Sequence, residues 1–253
     1  MIMRMKGQNG ISPCRMCEIQ AIRANNSNTH YVPLSRKNFP HAEPLEYDAS
    51  SLPLQSHEKF MRQATEVQNA LTTADHERLA TQYGIKGIPL LSALGSLSFP
   101  TSFPYDFMHL IYANLIVNLI LLWTGNFKDL DHSNEGYLLD KTVWDAIATA
   151  GAEAGDYIPS AFGTRVPNLA IEKKHMTCET YANWALYLAP VLLRGRFKNE
   201  KYYKHFVLLI KLLNSCLELE ITQAEINKLE QGFRDWVQDY EKYAISSLIY
   251  HAL

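Results

Sequence analysis

The chain has 253 residues, with 24 Lys and Arg against 26 Asp and Glu, and 47% of its residues are hydrophobic. That length supports a sizeable core in one large domain or two small ones, which excludes disorder throughout. A formal charge of -2 excludes a basic coat for nucleic acid over the whole surface, yet the average conceals opposite blocks. Residues 1–37 hold six basic residues and one acid, and residues 164–211 hold nine and three, so the remainder is strongly acidic.

Residues 1–55 are rich in Pro, Asn and Ser around a short β-like piece at His30, Tyr31, Val32, Pro33 and Leu34, which predicts loops and edge strands. From Ser56 the pattern turns helical, with apolar residues at Phe60, Ala64, Val67, Ala70 and Leu71. A second helix is predicted from Thr73 to Tyr83, with Gly84 as its stop. Ile85 to Pro104 has the apolar, turn-punctuated composition of a path across a core. At Phe103, Pro104, Tyr105 and Asp106 an extended piece meets an apolar helix over residues 110–123, ended by Gly125. The apolar run from Phe107 to Trp123 contains His109, Asn114 and Asn118 and falls short of the ~20 residues of a membrane span, so it reads as a buried helix.

Further helices are predicted at Thr142–Ala154, Thr177–Leu193, Asn199–Leu219 and Thr222–Tyr243. The last opens on Thr222 and Glu225, the spacing of a capping box. No internal repeat is visible. The fold class is α+β and predominantly α-helical.

Four cysteines are too few for a disulfide scaffold, and Cys178 and Cys216 sit in helical patterns that predict small buried thiols. The opening residues lack the apolar core of a signal peptide, which predicts a reducing, intracellular setting and no secretion.

Three groups of residues could carry chemistry. Cys14, Arg15, Met16 and Cys17 form a CxxC whose two sulfurs can turn toward one tetrahedral ion. It supplies half a site, and completion needs distant histidines such as His30, His41 or His251; the alternative is a reduced pair packing a loop. A redox role is less favoured, because a thioredoxin-like motif opens a helix after a core strand. Asp106, with His109 one turn later, is either a cap for the apolar helix or a cation ligand, and by sequence physics capping is favoured. Arg194, Arg196, Lys198, Lys201, Lys204 and Lys211 interleave with Phe197, Tyr202, Tyr203 and Phe206. Such a stripe is either an ordinary solvated face or a contact for DNA phosphates.

The segments Lys6 to Cys17, Thr29 to Leu34 and Tyr105 to Ile111 together resemble the CACTA-type (En/Spm-like) DNA transposases, in particular the versions found in filamentous fungi. Gly84 to Ser92 and Phe197 to Lys211 share that similarity, which extends over essentially the whole chain. The resemblance implies a ribonuclease-H-like catalytic core interrupted by a large helical insertion, here residues 1–109 and 110–253. It implies a DDE cut-and-paste enzyme in which three acids hold two Mg²⁺ or Mn²⁺ ions for attack on a phosphodiester. Asp106 matches the second acid, which reverses the preference for a simple cap. The CxxC and a later His-x-x-x-His pair imply a zinc site, with Cys14, Cys17 and His251 as its ligands in this chain. The implied partner is double-stranded DNA at element ends, the implied compartment is the nucleus, and the oligomeric state stays open.

No acid matching the family's first stands in Met1–Met5, and no third acid can be assigned: Glu218, Glu220, Glu225 and Glu230 read as exposed helix faces. The chain is therefore expected to resemble a central fragment of such an enzyme, inactive alone and weak in zinc binding. The alternative is a non-catalytic DNA-binding or partner-binding protein derived from a transposase.

Overall fold

The computed structural model describes residues 3–7, 10–23, 30–37, 39, 42–127 and 136–245. The chain divides into two compact units, with the division between Tyr105 and Asp106.

In the first unit the described β structure is sparse. Strands β1 (Ile22–Arg23) and β2 (His30–Tyr31) pair antiparallel, with Ile22 opposite Tyr31 and Arg23 opposite His30. Isolated bridges join Met5 to Ile85, Cys17 to Leu54 and Ser35 to Glu46. The helical part follows local rules closely. Helix α1 (His57–Gln68) starts where the Ser56 hydroxyl accepts the Lys59 N–H at 3.2 Å. Its Phe60, Ala64 and Val67 lie on one face and are fully buried. Helix α2 (Thr73–Tyr83) is capped by Thr72 and ends at Gly84, whose φ of 71° is left-handed.

The predicted continuation of the first helix to Leu71 is corrected. Helix α1 ends at Gln68, and Leu71 is 98% exposed because it falls in the turn before the Thr72 cap. The segment after Gly84 crosses the core, as expected, through Ile85 and Phe99, both at 0% exposure. Phe99 stacks on Phe60 at 5.5 Å and meets Phe103 at 4.9 Å. Truncating Phe60 to Ala in such a site costs about 3 to 5 kcal/mol.

The second unit is helical throughout its described elements. A π-helical segment, Met108–Ile116, runs into α3 (Val117–Trp123). Its Ile111, Tyr112 and Ile116 are buried whereas Met108 and Leu110 are exposed, so one face is covered. Helix α4 (Lys141–Glu153) follows. The predicted helix over 177–193 is three pieces: α5 (Cys178–Asn183), a π-helical stretch (Trp184–Leu188) and α6 (Ala189–Leu192). Pro190 lies near the start of α6, where its missing N–H is tolerated. Helices α7 (Glu200–Cys216) and α8 (Gln223–Tyr240) pack together, and α8 opens with the Thr222–Glu225 capping box.

The core of this unit is aromatic. Trp123 meets Phe197 and Phe206 edge-on at 5.4 and 5.3 Å, and Trp144 meets Trp184 at 6.2 Å. His205 of α7 lies flat on Trp236 of α8 at 4.5 Å, and the Trp236 Nε1 donates to the His205 carbonyl at 3.0 Å. The expectation of buried thiols fails for Cys216, which is exposed as the last residue of α7; Cys178, the first residue of α5, is half-buried.

Candidate functional site

The CxxC of the first unit is held by backbone pairing. Glu18 N–H donates to the Pro53 carbonyl at 2.8 Å and Gln55 N–H to the Met16 carbonyl at 3.0 Å, which fixes the strand-like exit of the turn. The turn folds back so that Cys17 N–H donates to Cys14 Sγ at 3.2 Å. The Tyr105 hydroxyl lies 3.1 Å from the same sulfur, and the Arg15 guanidinium covers the Tyr105 ring at 4.3 Å while donating to the Pro104 carbonyl.

These donors act on the thiol. The hydrogen bond from the Cys17 thiol, with those from Tyr105 and the Cys17 and Met16 N–H groups, outweighs burial and brings the Cys14 thiol down to about 5. Cys17 is pushed up because its own proton is held against the Cys14 sulfur and because it is buried. Burial, with the neighbouring Cys14, likewise raises Tyr105. These opposite shifts favour a single thiolate at Cys14 shared against the Cys17 thiol, the form in which a soft cation or an electrophile is captured.

A structural zinc needs four ligands, and two sulfurs supply half. Among the described residues no third His, Cys, Asp or Glu joins them. His251 and His41 lie outside the described residues, and His30 sits in β2 with its Nε2 3.3 Å from Arg23 Nη2. The described residues therefore do not by themselves make a zinc site.

In the second unit, Asp106 stands at the head of the π-helical segment. Its Oδ1 accepts the His109 N–H at 3.2 Å, and its Oδ2 lies 2.8 Å from His109 Nδ1. The His109 ring first, and its N–H second, hold the carboxyl below the ordinary aspartate range. This is the geometry of a helix cap, the role that sequence physics favoured, and with 61% of its side chain exposed the carboxylate remains open to solvent. No group of three potential ligands includes it among the described residues, so a two-metal site does not assemble there from these residues alone.

The six cations after α6 are all exposed. Gly195, at φ 68°, turns the chain and leaves Arg194, Arg196 and Lys198 on the link into α7. On α7, Lys201 rests over the rings of Tyr202 and Tyr243 at 4.8 and 4.6 Å, and Lys204 lies 3.5 Å from Glu200. The last pair is exposed on both sides and is worth little. Among the described residues no carboxylate lies within salt-bridge distance of Arg194, Arg196, Lys198 or Lys211, which leaves them available to an anion.

Sequence reasoning missed two features. Tyr105 reaches Cys14 across 91 positions, a contact that has no local signal in the sequence. A cavity of about 570 Å³ in the second unit is lined by Tyr157, Phe162 and Tyr187, and the part of its apolar lining from Tyr157 to Val166 lies in a segment that reads as a loop.

No protein family, curated protein or solved structure matches the chain. No helix among the described residues is long and apolar enough to cross a membrane.

Proposed function

We propose that the chain is a portion of the catalytic region of a CACTA-type, cut-and-paste DNA transposase, with a ribonuclease-H-like core and a helical insertion. The observation that carries this reading is the meeting of two of its motif segments. Cys14, from the Lys6 to Cys17 segment, touches Tyr105, the first residue of the Tyr105 to Ile111 segment. Two stretches that share the family's pattern at opposite ends of a unit gain a common physical reason when they make one contact.

In this reading Asp106 is the second acid of the DDE set, and the six exposed cations from Arg194 to Lys211 meet the phosphates of double-stranded DNA in the nucleus. Mg²⁺ or Mn²⁺ would serve the parent chemistry, and zinc bound by Cys14 and Cys17 would be weak. One matched acid does not hold two metal ions, so the isolated chain cleaves no DNA. The test is incubation of the purified chain with duplex DNA and Mg²⁺ or Mn²⁺, alongside a binding titration. The reading expects no strand cleavage and salt-sensitive binding that weakens in a Lys201→Gln, Lys204→Gln, Lys211→Gln variant. Metal-dependent cleavage abolished by Asp106→Asn would refute the claim of inactivity; absence of duplex binding at low salt would refute the DNA role.

A second reading, a non-catalytic DNA-binding or partner-binding protein derived from a transposase, is favoured by the tight bonding of Asp106 to His109, which suits a helix cap without further duty. Duplex binding that is lost in the lysine variant, unaffected by Mg²⁺ or Mn²⁺, and accompanied by a stability loss in Asp106→Ala but not in Asp106→Asn supports it.

A further inference from the structure

The first unit contains a second concentration of positive charge that the helix stripe does not include. Met5 and Ile85 face each other across a bridge and are both buried, so their neighbours alternate to the opposite side. Lys6 N–H donates to the Gly84 carbonyl at 2.7 Å and Lys86 N–H to the Arg4 carbonyl at 2.6 Å, which locks the register. Arg4, Lys6 and Lys86 therefore line one cleft of about 780 Å³, joined by Arg23 of β1. Among the described lining residues four cations share this space with one carboxylate, Glu77, which lies 3.5 Å from Lys6 and is itself 66% exposed.

Apart from Lys6, none of these cations has an internal ion pair among the described residues. Arg4 donates to neutral acceptors, the Gln68 Oε1 at 2.8 Å and the Lys86 carbonyl at 3.0 Å. Arg23 meets the His30 ring. Lys86 is exposed and has no carboxylate within salt-bridge distance among the described residues.

The backbone is also strained where it delivers one of them. Arg4 has φ 48°, a conformation that costs a residue with a β-carbon about 1–2 kcal/mol. Gly87, at φ 129°, makes room for it: a β-carbon there would stand 3.0 Å from the Arg4 guanidinium carbon and 2.7 Å from Gln68 Oε1. Strain that persists at a cluster of unneutralised charge points to a ligand.

We propose that this cleft is a contact site for the phosphodiester backbone of duplex DNA. Among its described lining residues there is no Phe, Tyr or Trp, and the charge set there by four cations suits backbone phosphates. The affinity for a phosphodiester backbone rests on the cleft alone; the choice of DNA over RNA rests on the reading given under Proposed function.

The experiment is a fluorescence-anisotropy titration of the full chain with a 20-base-pair DNA duplex, and with an RNA duplex of the same sequence, over a salt series. Arg23→Gln with Lys86→Gln removes two exposed cations and leaves the packed bridge intact. Neutralising two phosphate contacts reduces the slope of log K against log salt by about 2 and weakens binding about 60-fold at 0.1 M salt. Arg23→Lys with Lys86→Arg retains wild-type binding. A slope unchanged in the Gln variant, while the variant at Lys201, Lys204 and Lys211 loses binding, overturns the cleft and leaves the proposed function standing. A cleft-dependent slope on RNA with weak binding to DNA upholds the phosphodiester site and overturns its assignment to DNA. Equal losses in the Gln and the charge-retaining variants overturn the electrostatic argument.

Discussion

Gly84→Ala is the sharpest probe of the first unit, because three separate costs fall on one methyl group. The φ of 71° is free for glycine and costs alanine about 1–2 kcal/mol. The added β-carbon would lie 2.2 Å from the Ser12 carbonyl oxygen and 3.1 Å from the Ser12 β-carbon. A backbone oxygen cannot rotate away, so Ser12 itself must move. Its hydroxyl donates to the Gln82 carbonyl at 2.7 Å, and the neighbouring Lys6 N–H to Gly84 O bond is 2.7 Å, so relief sacrifices one or both at about 1 kcal/mol each. The sum is about 2 to 4 kcal/mol of lost stability, reaching the upper end for single substitutions. Gly95, with nothing within 4 Å of an added β-carbon, is the control and should change by less than about 0.5 kcal/mol on replacement by alanine.

All four tryptophans, at 123, 144, 184 and 236, lie in the second unit. Urea unfolding followed by tryptophan fluorescence therefore reports that unit, and far-ultraviolet circular dichroism reports both. Gly84→Ala should introduce an early dichroism transition while the fluorescence midpoint stays in place. A dichroism curve for Gly84→Ala that matches the Gly95→Ala control would refute the reasoning about the close approach to Ser12.

Cys14 should react with iodoacetamide at pH 6.5 well before Cys178 or Cys216, and Tyr105→Phe, by removing a donor to the sulfur, should move its reaction profile to higher pH; mass spectrometry of digests taken along a pH series reads both effects. Burial holds the His205 imidazole below its ordinary value even though its Nε2 hydrogen-bonds the Trp236 carbonyl at 2.9 Å, so the folded chain takes up that proton at lower pH than the unfolded chain. The stability it contributes is fully present above about pH 6.5 and is lost as pH falls through the lowered value, against the rings of Trp236, Tyr240 and Tyr243 and the nearby Asp239. Fluorescence-detected urea midpoints should fall between pH 7.5 and 5.5 by less in His205→Phe than in the parent chain. Ser56→Ala should cost about 1 kcal/mol in the dichroism-detected transition through loss of the α1 cap, and a change within error would show that the cap is replaced by water.

The helices were legible wherever their signals are local. Ser56, Thr72 and Thr222 each accept the third N–H of the helix they open, and Gly84 adopts the left-handed stop, all within four residues of the position that announces them. The π-helical stretches at Met108–Ile116 and Trp184–Leu188 were not legible, because an extra residue per turn shifts the buried face without changing composition. Asp106 illustrates a residue whose two readings share one geometry. The bonds to His109 that make it a cap also keep it ionised, and an ionised, solvent-open carboxylate is what a cation ligand requires.

Charge blocks show where counting along the chain departs from physics in space. The block over residues 1–37 treats six basic residues as equivalent, yet Arg36 is 2% exposed, with its Nη2 donating to the Gln20 carbonyl and its guanidinium over the Tyr47 ring at 4.5 Å. Arg15 spends its charge on the Tyr105 ring and the Pro104 carbonyl. Lys37 lies 2.6 Å from Glu46. Half of the block is therefore committed to the protein itself. Of the other three, Lys6 is shared with Glu77 at 3.5 Å while Arg4 and Arg23 have no ion pair among the described residues, and they gain a fourth partner, Lys86, from far outside the block, because the Met5 to Ile85 bridge sends residues on both sides of it to the same face. A cation's reach to a ligand is thus set by the pairing of two short segments. Opening that pairing at Gly84 should weaken phosphate binding at the cleft even though no cation has been changed.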